Sequence, residues 1–94
     1  MIGIAIIGCG RIAGHHCRSI KKNKKFKLIS VCDLNKDRAN HYSKLYNVPA
    51  YTNYHTMISS NLSKIDIVAI MTPSGLHYYQ AKNIIKLYKK SLIV

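Results

Sequence analysis

Short apolar runs alternate with amphipathic stretches along the chain, and the alternation predicts strands and helices in turn. Residues Met1 to Ile7 are apolar almost throughout, the pattern of a strand buried on both faces of a parallel sheet. Lys27–Cys32 and Asp66–Met71 repeat that pattern, Ala50–Thr52 reads as a short edge strand, and Ser91–Val94 begins a fifth strand. Between them the apolar positions follow helical spacing. Arg11 to about Lys22 puts Ile12, Ala13, His16, Cys17 and Ile20 on one face, which makes His16 a packed histidine. Lys36 to Tyr46, capped by Asn35 and closed by Pro49, turns Ala39, Tyr42, Leu45 and Tyr46 inward. A short helix capped by Thr52 or Asn53 carries Tyr54, Met57 and Ile58. A last one, about Leu76 to Tyr88, carries His77, Ala81, Ile84, Ile85 and Tyr88 on one side.

Strands that alternate with helices pair in parallel through right-handed crossovers. The expected fold is therefore α/β, a doubly wound parallel sheet truncated after the start of its fifth strand. In the order 3-2-1-4-5-6 the first and fourth strands are neighbours, and ligands bind at the carboxyl ends of the strands where the winding reverses. The two loops richest in turn chemistry, Gly8–Ala13 and Thr72–His77, follow those two strands and are expected to meet at one ligand.

The first loop reads Gly8-Cys9-Gly10-Arg11-Ile12-Ala13. Gly8 permits the sharp turn because it lacks a side chain to forbid positive φ. Gly10 lets the main chain approach a pyrophosphate, and Ala13 lets the helix sit close to the strand. The helix then aims free N–H groups and the positive end of its dipole at the phosphates. A G-x-G-x-x-A string alone is equally a plain strand-to-helix turn. Here an acidic residue, Asp33, ends the second strand 23 residues beyond Gly10. That is close to the roughly 20 residues expected of a carboxylate that binds ribose hydroxyls. The alternative is a turn or cap aspartate before Asn35.

Size and charge narrow the field. With 94 residues the chain is one domain at most, and a chain that stops inside a strand pattern reads as a fragment, residues 1–94 being an incomplete domain without a separate substrate domain. The 15 Lys and Arg against 3 acidic residues, all aspartate, give a net charge of +12. Such an excess can serve a polyanion. The lysines instead crowd helix ends and loops, where they complement helix dipoles, so neither nucleic acid nor membrane is expected as a partner. Cys9, Cys17 and Cys32 lack C-x-x-C spacing and suggest reduced thiols in a cytoplasmic protein. His15, His16 and Cys17 point in different directions on a helix and make no metal site. Neither a signal peptide nor an apolar run of the roughly 20 residues that span a membrane is present.

Taken together, the glycine string, Val31-Cys32-Asp33, and Asp66–Ile70 with Thr72-Pro73-Ser74-Gly75-Leu76-His77 resemble the N-terminal NAD(P)-binding Rossmann domain of Gfo/Idh/MocA oxidoreductases. Tyr51-Thr52-Asn53-Tyr54 resembles the family's run at that point, and the likeness covers essentially the whole chain. It implies a dehydrogenase that uses NAD or NADP on sugars, inositols, nucleotide sugars and related compounds. It further implies that Gly8, Gly10, Arg11 and Ile12 line the pyrophosphate turn and that Asp33 holds the adenosine ribose. Thr72, Pro73, Leu76 and His77 would lie along the nicotinamide half. Ser74 departs from the family's usual asparagine. The family's catalytic lysine sits in a Glu-Lys-Pro run that would begin just after Val94, so the resemblance places no catalytic residue in this chain. His77 as a proton carrier is the competing assignment to a packing or cofactor contact.

Asp33 favours NAD by repelling a 2′-phosphate. Lys36 and Arg38 lie near enough in sequence to offset that repulsion, so NAD is expected to be preferred and NADP tolerated. A homo-oligomeric parent protein is also expected. Two other readings stay open: a non-catalytic Rossmann-like binding module, and another Rossmann dehydrogenase branch.

Overall fold

In a computed structural model of the chain, the described residues are 1–72, 74–88 and 90–93; for 74, 75, 77, 78 and 91–93 only the backbone is described. Five strands and four helices alternate: β1 (Ile2–Ile7), α1 (Arg11–Lys22), β2 (Phe26–Cys32), α2 (Lys36–Tyr46), β3 (Ala50–Tyr51), α3 (Tyr54–Ser60), β4 (Ile67–Ile70), α4 (Ser74–Tyr88) and β5 (Ser91–Ile93). The strands form one sheet in the order β3-β2-β1-β4-β5, and every pairing is parallel. β1 thus lies between β2 and β4, and the winding reverses on either side of it, as the doubly wound pattern requires.

The central strand explains its own composition. Ile4, Ala5, Ile6 and Ile7 are all buried, because helices cover both faces of the sheet. Their side chains alternate between two cores. Ile4 and Ile6 pack with Ala13, Cys17, Ile20, Leu28 and Val31 on the α1 side. Ala5 and Ile7 pack with Met57, Ile58, Val68, Ile70 and Ile84 on the other. Burying one such aliphatic side chain contributes about 1.5–3 kcal/mol, so these two layers dominate the stability of so small a sheet.

Four side chains on three helices differ from expectation. Ile12 and His16 on α1, Leu45 on α2 and Ile85 on α4 all face solvent. In each case a neighbour in sequence takes the inward position: Ala13, Cys17, Tyr46 and Ile84. Successive helical residues are rotated by roughly 100°, so one member of each of these adjacent pairs turns away from the sheet. The inward stripe of α1 is Ala13, Gly14, Cys17 and Ile20, narrower than the apolar count suggested. The expectation that His77 shares the inward face of α4 concerns a side chain outside those described.

Candidate functional site

The carboxyl ends of β1, β2 and β4 converge. Gly8 N–H donates to the Cys32 carbonyl at 2.7 Å, and Met71 N–H donates to the Ile7 carbonyl at 2.7 Å. Gly8 holds φ +98°, and a Cβ there would sit 2.8 Å from the Met71 carbonyl carbon and oxygen and 3.0 Å from Thr72 N. Only glycine serves at this position, for its dihedral and for the close approach of the two loops. The sequence-separated turns at Gly8 and Thr72 are therefore in direct contact.

Gly10 differs. Its φ is −82°, open to any residue, and a Cβ would meet nothing within 4 Å. Nothing in the protein's own packing demands glycine there. The space lies at the start of α1, where Gly10 is the N-cap without a side-chain hydrogen bond. The first turn holds no acidic residue and does hold the basic Arg11, the reverse of what the helix dipole favours. By contrast, Asn35 caps α2 by accepting from Asp37 N and Arg38 N, and Asn53 caps α3 by accepting from His55 N and Thr56 N. Uncapped N–H groups, an unfavourable cation and unfilled space together fit an anionic group at α1.

Asp33 bridges the same edge. Its Oδ2 accepts from Cys9 N at 2.8 Å and its Oδ1 accepts from Asn35 N at 2.8 Å. The second bond is that of a turn aspartate, and the first ties the glycine loop to β2. Each carboxylate oxygen has a further lone pair for an outside donor.

These parts face one cleft of about 620 Å³, within the roughly 300–1,000 Å³ typical of small-molecule sites. Gly8, Gly10, Asp33, Thr72 and Leu76 line it, as anticipated. Arg11 and Ile12 lie exposed at the α1 start and do not line it. Pro73 and the His77 side chain lie outside the described residues. The sequence reading missed Leu34, Thr52, Asn53, Tyr54, His55, Met71 and Gln80 as cleft residues. Gln80 Oε1 accepts from the Thr72 hydroxyl at 2.6 Å, an i, i+8 contact with no local sequence signal. His55 pairs its Nδ1 with the Tyr88 hydroxyl at 3.0 Å, and Tyr54 accepts from Asn83 Nδ2 at 3.1 Å, so α3 and α4 brace the far wall. Leu34, 82 % exposed directly after Asp33, offers an apolar floor.

The thiols of Cys9, Cys17 and Cys32 are held in their protonated form. Burial pushes Cys9 and Cys32 up to about 12, with the Asp33 carboxylate adding to the effect, and burial pushes Cys17 up to about 11. A second cavity, of about 710 Å³, opens at the opposite end of the strands among Lys21, Lys24, Lys27 and Lys64. None of the three converging loops reaches it, so it is not the candidate site.

A helix start without a side-chain cap, a carboxylate at the end of the adjoining strand and a ligand-sized cleft at the switch point fit a dinucleotide-binding doubly wound domain. Residues 2–94 match the oxidoreductase family with an NAD-binding Rossmann fold, GFO_IDH_MocA, and the chain belongs to that family. No curated protein sequence matches it. Among solved structures, a probable dehydrogenase from Thermotoga maritima is 25% identical, with a TM-score of 0.87 over 97% of this chain and 27% of the other. Myo-inositol 2-dehydrogenase from Lactobacillus plantarum is 27% identical, with a TM-score of 0.85 over 97% of this chain and 26% of the other. The WlbA dehydrogenase of Chromobacterium violaceum, solved with NADH and UDP-GlcNAcA, is 30% identical, with a TM-score of 0.78 over 90% of this chain and 24% of the other. The chain spans about a quarter of the length of these structures.

Proposed function

We propose that this chain is the cofactor half of a dehydrogenase acting on a sugar, inositol or nucleotide-sugar type of substrate. The nicotinamide supplies the hydride donor or acceptor when bound. The chain's residues bind and orient it. The α1 N–H groups and Gly10 receive the pyrophosphate, with Arg11 and Ile12 flanking it. Asp33 accepts from the adenosine ribose hydroxyls with the lone pairs its backbone bonds leave free, and Leu34 supports the adenine. Thr72, Leu76 and, by the family's pattern, Pro73 and His77 run along the nicotinamide half. Substrate positioning and proton transfer fall to residues outside this segment.

The observation that carries this reading is the contact of the Gly8 and Thr72 loops at one cleft that Asp33 also faces. NADH fluorescence titration tests it: saturable binding that Asp33→Ser weakens is the expected result, and no binding by the wild-type protein would refute it. The cofactor is NAD by preference, with NADP tolerated because the Arg38 cation lines the cleft beside Asp33, whereas Lys36 does not line it. In Asp33→Ser the NAD-to-NADP affinity ratio is expected to shrink; an unchanged ratio would remove Asp33 from that role. The protein is further proposed to be cytoplasmic, in keeping with three free cysteines, and homo-oligomeric, in keeping with the exposed Ile85 and Leu87 on α4. No helix among the described residues is long and apolar enough to cross a membrane.

A further inference from the structure

Tyr42 stands on α2, yet its hydroxyl donates to the Gly10 carbonyl at 2.8 Å, 32 residues away in sequence. It passes over Gly14, the one buried α1 position without a side chain on that path. A Cβ on Gly14 would lie 2.9 Å from the Tyr42 Oη and 3.7 Å from its Cε1 and Cζ. Only the hydroxyl oxygen is crowded; the ring carbons would be in ordinary contact. Tyr42 is itself held, its ring stacked on Tyr46 with centroids 6.1 Å apart and 11° between planes. Desolvation by burial raises the phenol above its ordinary value, so it stays a neutral donor.

The Gly10 carbonyl and the Arg11 N–H belong to one planar peptide unit and point in opposite directions. Fixing the carbonyl therefore fixes the N–H. That N–H is the first of the α1 donors without a side-chain cap. As the α1 N-cap, Gly10 gives its carbonyl to the first intrahelical bond, and it has no Cβ (one built there would meet nothing within 4 Å), so the Tyr42 hydroxyl adds a tertiary restraint to this peptide. We infer that Tyr42 is a positioning residue: through the Gly10 carbonyl it sets the Arg11 N–H toward the cofactor's pyrophosphate, and Gly14 is glycine to admit the hydroxyl. This rests on the cofactor reading above and adds to it a residue of α2 that does not line the cleft.

The test is a double-mutant cycle read by NADH titration, with adenosine as a competitor that lacks phosphates. Tyr42→Phe is expected to weaken NADH binding roughly three- to tenfold, the loss of one hydrogen bond, and to leave adenosine competition unchanged. Gly14→Ala, which keeps the phenol but displaces its hydroxyl, is expected to weaken NADH binding to a similar degree. In the Tyr42→Phe background, Gly14→Ala is expected to do nothing further, because the crowded oxygen is gone. Additive losses, unchanged NADH affinity in Tyr42→Phe, or equal losses for NADH and adenosine would each overturn the role of Tyr42 while leaving the cofactor assignment standing. Absence of NADH binding by the wild-type protein would overturn both. If Tyr42→Phe does not fold, Gly14→Ala decides: unchanged NADH affinity there refutes the inference.

Discussion

Gly8 and Gly10, two residues apart, serve different purposes that substitution separates. Gly8 carries a positive φ and abuts the Met71 carbonyl, so Gly8→Ala is expected to cost roughly 2 kcal/mol or more in unfolding free energy. Gly10 has an ordinary φ and open space, so Gly10→Ala is expected to hold stability within about 1 kcal/mol. It should nonetheless weaken NADH by about tenfold or more, about 1.4 kcal/mol, because the methyl group enters the phosphate space. Urea unfolding beside NADH titration checks both; a destabilised Gly10→Ala with unimpaired binding would reverse the assignment. The thiols give a second residue-scale prediction. Cys9 and Cys32 are raised in the folded chain from 9.0 to about 12, chiefly by burial. An unfolded thiol ionises near its ordinary value, so the stability these groups contribute is complete below that pH and is lost as pH climbs toward about 12. The alkaline fall in urea midpoint should be smaller in Cys32→Ala, whereas an identical fall would assign the loss to other groups.

At the scale of elements, much was legible because local chemistry decides it. Asn35 before an amphipathic run placed α2 at Lys36–Tyr46, where it is found, and its Oδ1 accepts from both Asp37 N and Arg38 N. Asn35→Ala is accordingly expected to lower stability by about 1 kcal/mol, measurable as a shifted urea midpoint without a changed slope. A shift below the error of the measurement would mean that β2 and β3, not the cap, hold α2 in place. The faces were less legible than the boundaries. Ile12 and Leu45 are apolar and exposed, at 65 % and 61 %. Apolar periodicity records which side chains are hydrophobic, whereas the folded α1 turns only a narrow stripe toward the sheet, and Ile12 falls outside that stripe. The same limit hid Gln80 and Tyr42, whose partners lie on other elements. Spacing rules within a helix or strand carry no information about such contacts. Asp33 was readable as a ribose carboxylate or as a turn aspartate; its Oδ1 closes the turn, and its Oδ2 holds the glycine loop, a contact that spacing alone did not announce.

The whole molecule sets its charge against its site. A net charge of +12 on 94 residues invites any polyanion at low salt. Four of the lysines surround the cavity at the amino ends of the strands, while the cleft at the carboxyl ends is lined by Asp33 and Arg38 together, so the basic excess is not focused on the candidate site. Binding by diffuse lysines depends on the release of many counterions, and binding in a formed cleft depends on few. Raising salt from about 50 to about 200 mM is therefore expected to weaken duplex DNA binding on the order of a hundredfold, while NADH affinity falls by no more than about threefold. Parallel titrations at the two salt concentrations separate the two modes. DNA binding that survives the higher salt, with NADH affinity collapsing, would show that the lysine surface and not the switch-point cleft is the organised site, since a surface that keeps its ligand when counterions compete must hold it by fixed geometry.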